Sequence, residues 1–541
     1  MKITKAPKRK PEAPAALAAL GTRMVEAPEP ELAGLLASVD QWVWPRGDLY
    51  SWVAVLNRLD DILARICTET PLRPFQTAPF APANRTLLLA ILHFARLLLE
   101  NCMNRKLYAS YEHLDTLLGS DDGEVLEALL YLLLRPAQQH TGSGRHELAV
   151  DHARLAVLAS AWPPRDHGVE LADAAQEAAA FPAGMQSVQM HCHQRPGGEE
   201  PGPATPVRHT HDEPSDWVYV HHLDTETRSA GAIVLAADRH GRLSEEERFE
   251  LFHKVRVALA FRAWPSRQQA IVCRLLAIAC FAHTAPESAV NTRLYMVEPS
   301  LVSRTAALLE PARHTGYWVQ SAALYALDSV GHFRVRLGEL LTAVNASVSH
   351  GLLLQVLLNT QEALQASADG PTPPLGTHMD AFVDALMTLV ANLTTTVSGS
   401  TMVVSAGLIP QLLELACIVS HTNALVQRTS ARAIGLLDSL LYSYPPALEQ
   451  FTAARGMDVL VARTVQCVDD AVSRNAPLPF GATNVLRQLL RLFHHLMTTT
   501  GLADGLRNLI DTPLVPALRT IMEQRALFGT SVPVSYTHLT L

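Results

Sequence analysis

Two consecutive apolar-faced helices with almost no connection between them are encoded by "LYASYEHLDTLLGSDDGEVLEALLYLLLRP", residues 107–136. In the first helix, Leu114, Leu117 and Leu118 form a stripe at helical spacing, so one side of the helix requires burial. The second helix is apolar over more than one face. Helices joined so tightly are antiparallel neighbours, and their remaining apolar surface requires further helices stacked on either side.

The ends of this helical pair carry local signals. Gly119 predicts the end of the first helix, because glycine readily adopts the left-handed conformation that closes helices. Ser120 or Asp121 is the predicted cap of the second helix, which Pro136 is expected to stop. The pair holds no pattern of catalytic residues, and it therefore predicts a structural unit.

Length, composition and charge agree with a chain of stacked helices. The 541 residues exceed the size at which single cores stop growing, about 250–300 residues. Aromatic residues make up only 6% of a Leu- and Ala-rich chain, which favours helix over sheet. The net charge of −8 provides no global field for nucleic acid or anionic membranes, so neither is expected as a partner. The uncharged stretches 340–361 and 385–413 are interrupted by polar residues, and we interpret neither as membrane-spanning.

Composition also divides the chain into segments. The opening "MKITKAPKRKPEAP" is basic and proline-bearing, which is typical of a disordered tail; a nuclear localisation signal is the alternative interpretation. We find no apolar core of a secretory signal after Met1, and we expect a cytoplasmic protein, with the nucleus as a second location. We predict, in order, a disordered basic tail (1–31), a first helical domain (32–366), a linker (367–377), further helical repeats with the start of a second domain (378–531), and a tail that is not native to the fold (532–541).

A small β-hairpin is predicted inside the first domain, at residues 185–236. "SVQMHCHQR" alternates apolar and polar residues, and "DWVYVHHL" resumes a β-rich pattern after a Gly- and Pro-rich loop. This insertion holds a cluster of histidines: His191, His193, His209, His211, His221 and His222. On a strand, His191 and His193 share a face that could present imidazoles to zinc. Because no carboxylate is fixed nearby to orient the rings, we prefer a solvated strand face and predict no metal site.

Metal analysis tests this interpretation. Purified protein is expected to carry no stoichiometric zinc. Replacing His191 and His193 with alanine is expected to leave the melting temperature nearly unchanged, because solvated side chains contribute little to stability. One equivalent of zinc that disappears in the double variant would contradict the prediction.

A weak internal repeat appears in the last third of the chain. "VVSAGLIPQLLELACIVS" and "TAARGMDVLVARTVQCVD" align Ala406 with Arg455 and Gly407 with Gly456, 49 residues apart. That interval lies just above the roughly 40–47 residues of armadillo and HEAT repeats, although coincidence in a Leu/Ala-rich chain is the alternative. We predict an all-α fold, an armadillo/HEAT-like helical solenoid with a small β-hairpin insertion.

Motifs of common enzymes are missing from the sequence: there is no phosphate-binding Gly-rich loop, no His-Glu-x-x-His and no Gly-x-Ser-x-Gly. The carboxylate pairs Asp60–Asp61 and Asp121–Asp122 are interpreted as solvated faces and helix caps, because adjacent helix residues do not face each other. The seven cysteines form no metal pair and no disulfide cluster, which indicates a reducing compartment; they are Cys67, Cys102, Cys192, Cys273, Cys280, Cys417 and Cys467. We predict no catalytic, cofactor-binding or metal-binding residue in this chain, and no cofactor.

Three blocks of the chain resemble the N-terminal region of the giant HECT-type ubiquitin-protein ligases. They are "DLYSWVAVLNRLDDILA", "LLLAILHFARLLLENCMNRKLYASYEHLDTLLGSDD" and "RQQAIVCRLLAIACFAHTAPESA". The resemblance is strongest in residues 46–135 and 244–290, where Trp, Tyr, His and charged residues follow in a fixed order. The loop "RPGGEEPGPATPVRHTHDEPSD" and the ending "SVPVSYTHLTL" depart from the family pattern.

The resemblance implies an armadillo-like solenoid with two conserved domains of unassigned chemistry, part of a large scaffold that presents substrates. In that family the catalytic HECT domain lies at the far C-terminal end, so no catalytic cysteine is carried over to this chain. The expected function is substrate recruitment by a HECT-type ligase, with protein substrates and the rest of the ligase as partners and no small-molecule substrate. The alternatives are a stand-alone armadillo adaptor or transport receptor, and a zinc-dependent enzyme built on the histidine hairpin.

Overall fold

The computed structural model describes residues 15–39, 52–70, 80–101, 111–138 (with gaps at 119 and 121), 155, 190–191, 217–218, 267–284, 301–345 (with a gap at 314), 351–371, 378–498 and 513–528. These residues are almost entirely helical, so the all-α class predicted from the sequence is confirmed. The chain divides into two compact units, with the main boundary between Arg304 and Thr305.

The described residues of the first unit form seven helices: α1 (Ala15–Glu26), α2 (Glu29–Ala37), α3 (Val53–Glu69), α4 (Pro82–Asn101), α5 (Tyr111–Leu117), α6 (Gly123–Ala137) and α7 (Arg267–Thr284). Helices α1, α3 and α5 pack side by side in one row, and α2, α4, α6 and α7 pack in a second row. Helices α1, α3 and α5 are thus each followed by a partner in the other row, and the apolar stripes of both helices are buried between the rows.

The helical pair of residues 107–136 folds as α5 and α6. Leu114, Leu117 and Leu118 are buried, as the apolar stripe predicted. The predicted cap was wrong, because the Asp122 side chain accepts hydrogen bonds from the backbone N–H groups of Glu124 and Val125. Pro136 does not stop α6, which includes this proline in its last turn and ends at Ala137. A proline so near the end removes one backbone hydrogen bond without breaking the helix.

Helix α7 lies alongside α6 although a long segment separates the two in sequence. The Cys273 Sγ atom is 3.9 Å from the Gly123 carbonyl oxygen, and the Cys280 Sγ atom is 3.4 Å from the Leu130 carbonyl oxygen. Both pairs are 150 residues apart. The two helices therefore run parallel and in register.

The predicted disordered tail extends too far into the chain. Helix α1 begins at Ala15, inside the segment predicted to be a disordered tail up to residue 31. That boundary was placed too late, because the run "AALAALGTRMVE" has its own helix-forming residues.

Strands Met190–His191 (β1) and Trp217–Val218 (β2) pair antiparallel, with His191 opposite Trp217. The rest of residues 185–236 lies outside the described residues, so the hairpin stays a prediction.

Most helices of the second unit follow one another at short intervals. After α8 (Leu301–Ala307), which crosses the boundary, and a short 3₁₀ helix, they are α9 (Tyr317–Gly331), α10 (Arg334–Asn345), α11 (Leu352–Ala366), α12 (His378–Leu393), α13 (Val397–Ser405), α14 (Leu408–Cys417), α15 (Ala424–Ser443), α16 (Pro446–Ala453), α17 (Gly456–Arg474), α18 (Phe480–Thr498), α19 (Val515–Glu523) and α20 (Arg525–Phe528).

In this unit, helices pack against the helix three places further along the chain. One row consists of α9, α12, α15 and α18; a second consists of α11, α14 and α17; the third consists of α10, α13 and α16. Each group of three consecutive helices therefore meets the next group through equivalent helices.

The two segments aligned as an internal repeat begin the helices α14 and α17, but the register at the helix starts differs by one residue from the sequence alignment. Gly407 and Arg455 immediately precede α14 and α17 and adopt left-handed conformations, with φ of 76° and 53°. The alignment instead matched Gly407 with Gly456. Gly456 is the first residue of α17, and a Cβ atom at this position would overlap the Phe451 ring. Gly407 thus allows a left-handed backbone conformation, whereas Gly456 allows close packing against Phe451.

The linker predicted at residues 367–377 falls between two helices of the second unit. Helix α11 ends at Ala366 and α12 begins at His378, both within the second unit, whereas the unit boundary lies earlier, at Arg304. Within the described ranges, no single helix has the length and apolar composition needed to cross a membrane. Helices α12 and α13 reach that composition only as a pair, and they are bent by 117°.

Candidate functional site

The described cysteines lie in helix-packing layers. Cys273, Cys280 and Cys467 are buried, and Cys67 and Cys417 are half-buried. None of these five residues is in a disulfide. Cys102 and Cys192 lie outside the described residues.

Burial makes these thiols poor nucleophiles. It raises the pKa of the Cys67 and Cys417 thiols to about 11, and it also raises the pKa of the Cys280 and Cys467 thiols. The Arg463 guanidinium, whose Nη1 atom lies 3.1 Å from the Cys467 Sγ atom, opposes this rise without overcoming it. Because the thiolate is the reactive form, all four residues are almost fully protonated and unreactive near neutral pH.

We therefore expect this chain to form no ubiquitin thioester. When it is incubated with activating enzyme, charged conjugating enzyme and ubiquitin, non-reducing gels should show no thiol-sensitive adduct, because a thioester-forming cysteine must be accessible and readily ionised. A reducible adduct that is lost on mutation of one cysteine would contradict this prediction.

The other residues singled out in the sequence do not converge on a site within the part of the chain that the structure describes. Asp60 lies 3.6 Å from the His113 Nε2 atom, whereas Asp61 is exposed, so the two carboxylates act separately. Asp122 caps α6, and its Oδ2 atom forms an ion pair with the Arg85 Nε atom at 2.5 Å. The histidine side chains of the predicted insertion and Asp121 lie outside what is described, so the prediction of no metal site is untested.

A polar network that the sequence did not predict joins α9, α12 and α15. Its centre is Asp384 on α12, a buried carboxylate. The Tyr325 hydroxyl on α9 donates a hydrogen bond of 2.6 Å to the Asp384 Oδ2 atom. On α15, Arg432 pairs with the Asp384 Oδ1 atom and Arg428 lies 3.5 Å from the same oxygen. The Arg432 Nη2 atom also donates to the Thr388 hydroxyl at 3.0 Å. One carboxylate therefore connects three consecutive members of one helix row.

The same row contains two further polar contacts between neighbouring helices. Between α9 and α12, the Asn392 side-chain amide donates to the backbone and side-chain oxygens of Asp328, at 3.0 and 3.1 Å. Between α15 and α18, the His495 Nδ1 atom lies 2.7 Å from the Asp438 Oδ1 atom, and the Arg491 Nε atom lies 3.3 Å from Asp438 Oδ2. Each pair of neighbouring helices in the row is thus joined by at least one contact to a buried aspartate.

We call the accessible surface of α12, α15 and α18 the α12–α15–α18 face. On these helices the charged groups inside differ from those at the surface. All three aspartates of these helices are buried: Asp380, Asp384 and Asp438. The arginine side chains remain accessible, with exposed fractions of 35% for Arg428, 30% for Arg432 and 57% for Arg491. These helices contain no glutamate and no lysine, so their accessible formal charge is entirely cationic.

Sequence reasoning missed this network for a physical reason. The partners Asp384 and Arg432 are 48 residues apart, and no local pattern connects them. One signal was available: Asp380 and Asp384 lie one helical turn apart, as do Arg428 and Arg432, so that each pair occupies one side of its helix. Recognising it required the knowledge that the two helices are neighbours.

The described residues define an all-α protein in which buried aspartates join the helices of one row. Comparison with known families identifies the class. The family described as "Domain of Unknown Function (DUF908)" matches residues 83–360, a little over half of the chain, and a second one, "Domain of Unknown Function (DUF913)", matches residues 431–537. The chain belongs to the DUF908 family.

Curated relatives of the chain are E3 ubiquitin-protein ligases, as the sequence resemblance predicted. The ligase ptr1 of Schizosaccharomyces pombe is 25% identical over 92% of this chain and 16% of its own length. The ligase HUWE1 of Mus musculus is 23% identical over 98% of this chain and 12% of its own length. The chain therefore spans about a sixth or less of these relatives.

A solved structure, that of SYS-1 at 2.6 Å resolution, is 13% identical and covers 96% of this chain and 81% of its own, with a TM-score of 0.33. A score of this size supports no argument about the fold.

Proposed function

We propose that this chain is the N-terminal scaffold and substrate-recruitment region of a HECT-type ubiquitin-protein ligase and that it contains no catalytic domain. The small share of each relative that it matches supports a regional role. The protonated, packed cysteines support the absence of thioester chemistry. Its partners are protein substrates and the remaining parts of the ligase, it uses no cofactor, and its location is the cytoplasm, with the nucleus as a second compartment.

The observation that carries this proposal is the packing of equivalent helices in the second unit. Contacts between each helix and the helix three places further along are what armadillo repeats make, because a repeat cannot bury its apolar faces alone. The alternating rows of the first unit fit two-helix, HEAT-like repeats in the same way. We infer an armadillo/HEAT-like solenoid, with a β-hairpin at 185–236 and its two conserved domains divided near the linker at 367–377. Such repeats offer a long surface for partner proteins and require no catalytic residue.

A chimera tests the proposed function. In the Schizosaccharomyces pombe ligase, the matched region is either deleted or replaced by this chain. Both proteins are expected to form the ubiquitin thioester on the HECT cysteine, because the region supplies no catalytic group. Substrate ubiquitination is expected to fall on deletion and to recover with the replacement.

Two outcomes would overturn the proposal. Loss of the thioester in a folded deletion variant would give the region a catalytic role. If the replacement forms the thioester but fails to restore substrate ubiquitination, the chain does not recruit the ligase's substrates, and the stand-alone adaptor becomes the better interpretation.

A further inference from the structure

We propose that the α12–α15–α18 face binds an extended, acidic segment of a partner protein. This inference rests on the proposed role in recruitment and deepens it, because it specifies the chemistry of the partner. The charges of the face provide the first argument. Its four arginines outnumber its three aspartates, and the aspartates are buried while Arg428, Arg432 and Arg491 are accessible. The chain as a whole has no such cationic bias, since its net charge is −8.

The buried aspartates hold the arginines in place. Arg428 lies between Asp380 and Asp384, at 3.6 and 3.5 Å, and Asp438 fixes the Nε side of Arg491 at 3.3 Å. A guanidinium that is already oriented loses less side-chain entropy when it binds a carboxylate, and its planar donor groups match the two carboxylate oxygens. The internal ion pairs thus prepare the arginines for an acidic ligand.

The spacing along α15 suits an extended chain. Arg428 and Arg432 are separated by four residues, a rise of about 6 Å along the helix. Alternate side chains of an extended peptide lie on one side and are about 6.8 Å apart. Acidic residues two positions apart in the ligand therefore meet successive arginines.

Small residues continue the same side of α15 beyond the arginines. Gly435 and Ser439 follow Arg432 at helical spacing, and a Cβ atom added at Gly435 would be in contact with the Gln488 side-chain oxygen of α18, 3.7 Å away. Tyr442 comes next and is 78% exposed. Its ring centroid lies 5.9 Å from that of His495 on α18. The side of α15 that carries the arginines therefore continues through small residues to an exposed aromatic side chain, which a bound segment can contact.

A protein segment fits this face better than a nucleic acid. Single-stranded nucleic acids bind basic grooves in which aromatic side chains stack on successive bases. Tyr442 is the one large aromatic side chain that is more than half exposed on the described parts of α12, α15 and α18.

Fluorescence anisotropy with the full chain tests the proposal. The probes are a labelled ten-residue peptide of alternating Glu and Ser, its Gln–Ser counterpart, and a ten-nucleotide single-stranded DNA. The Glu peptide is expected to bind more tightly than the Gln peptide, and added salt should weaken its binding by screening the charges. The double variant Arg428→Gln/Arg491→Gln is expected to bind the Glu peptide roughly tenfold more weakly, because two charge-assisted contacts are lost.

The matched control is Arg474→Gln, which removes an exposed arginine from α17, outside this face, and should leave peptide binding unchanged. Circular dichroism establishes that each variant is folded; if the double variant is not, Arg491→Gln alone is measured, with an expected loss of about threefold. Equal binding of the Glu and Gln peptides, or unchanged binding by the folded variants, would overturn the proposal. Tighter binding of the DNA, lost in the same variants, would assign the face to nucleic acid instead. Because the test uses this chain alone, its failure leaves the chimera result unaffected.

Discussion

Leu114→Asp is expected to unfold the first unit at temperatures where the wild-type protein is stable. Leu114 has no exposed surface and lies in α5, in the layer where α5 meets its neighbours. The substitution removes a buried leucine, which costs about 2–5 kcal/mol for Leu→Ala, and adds the cost of an unpaired carboxylate in an apolar layer. We expect a total loss above about 4 kcal/mol in the free energy of unfolding.

Calorimetry is the suitable measurement, because two compact units can unfold in separate transitions. The matched control is Leu358→Asp, the same substitution at an apolar residue of α11 that is 37% exposed, and its effect should be much smaller. An unchanged thermogram for Leu114→Asp would mean that this side of α5 faces solvent.

The second large effect is expected for Asp384→Ala. This change removes the common partner of Tyr325, Arg428 and Arg432 and leaves the buried Tyr325 hydroxyl without its acceptor. An unsatisfied buried hydroxyl costs about 1–3 kcal/mol, and the lost hydrogen bond between Arg432 and the carboxylate adds about 1.5–3 kcal/mol. The loss should appear in the unfolding transition of the second unit.

Asp458→Ala serves as the control for this prediction. Asp458 forms an ion pair of 3.0 Å with Arg455, but both side chains are accessible, so the expected cost is below about 1 kcal/mol. If the two alanine variants melted at the same temperature, the network around Asp384 would contribute no more than a surface ion pair.

The sequence correctly predicted features that follow from local periodicity. It did not predict features that depend on contacts between residues far apart in the sequence or on the exact helix ends. The buried stripe of Leu114, Leu117 and Leu118 follows from helical spacing alone, because only one side of such a helix can face solvent. By contrast, the capping role of Asp122 competed with two adjacent candidates of the same chemistry. Pro136 was expected to stop α6, but the effect of a proline depends on how far it lies from the end of the helix.

The register of the repeat also could not be predicted from residue identity alone. Matching glycine with glycine put the repeat out of register at the helix starts, because a left-handed residue is required before each helix and Arg455 fills that position in the second copy. The Asp384 network was out of reach for a different reason: its arginines come from the next helix of the row, and only the packing of the unit brings them together. A pattern search at the repeat interval would have found the paired residues but not their contact.

The parallel alignment of α6 and α7 has a consequence for the order in which the first unit folds. The two contacts that define this alignment join residues 150 positions apart in the sequence. Bringing such distant residues together costs chain entropy before the contact adds any stability, so contacts of this kind form slowly. The helices α4 and α6, which also pack together, are much closer in the sequence. We therefore expect α4 and α6 to pair first and α7 to join α6 afterwards.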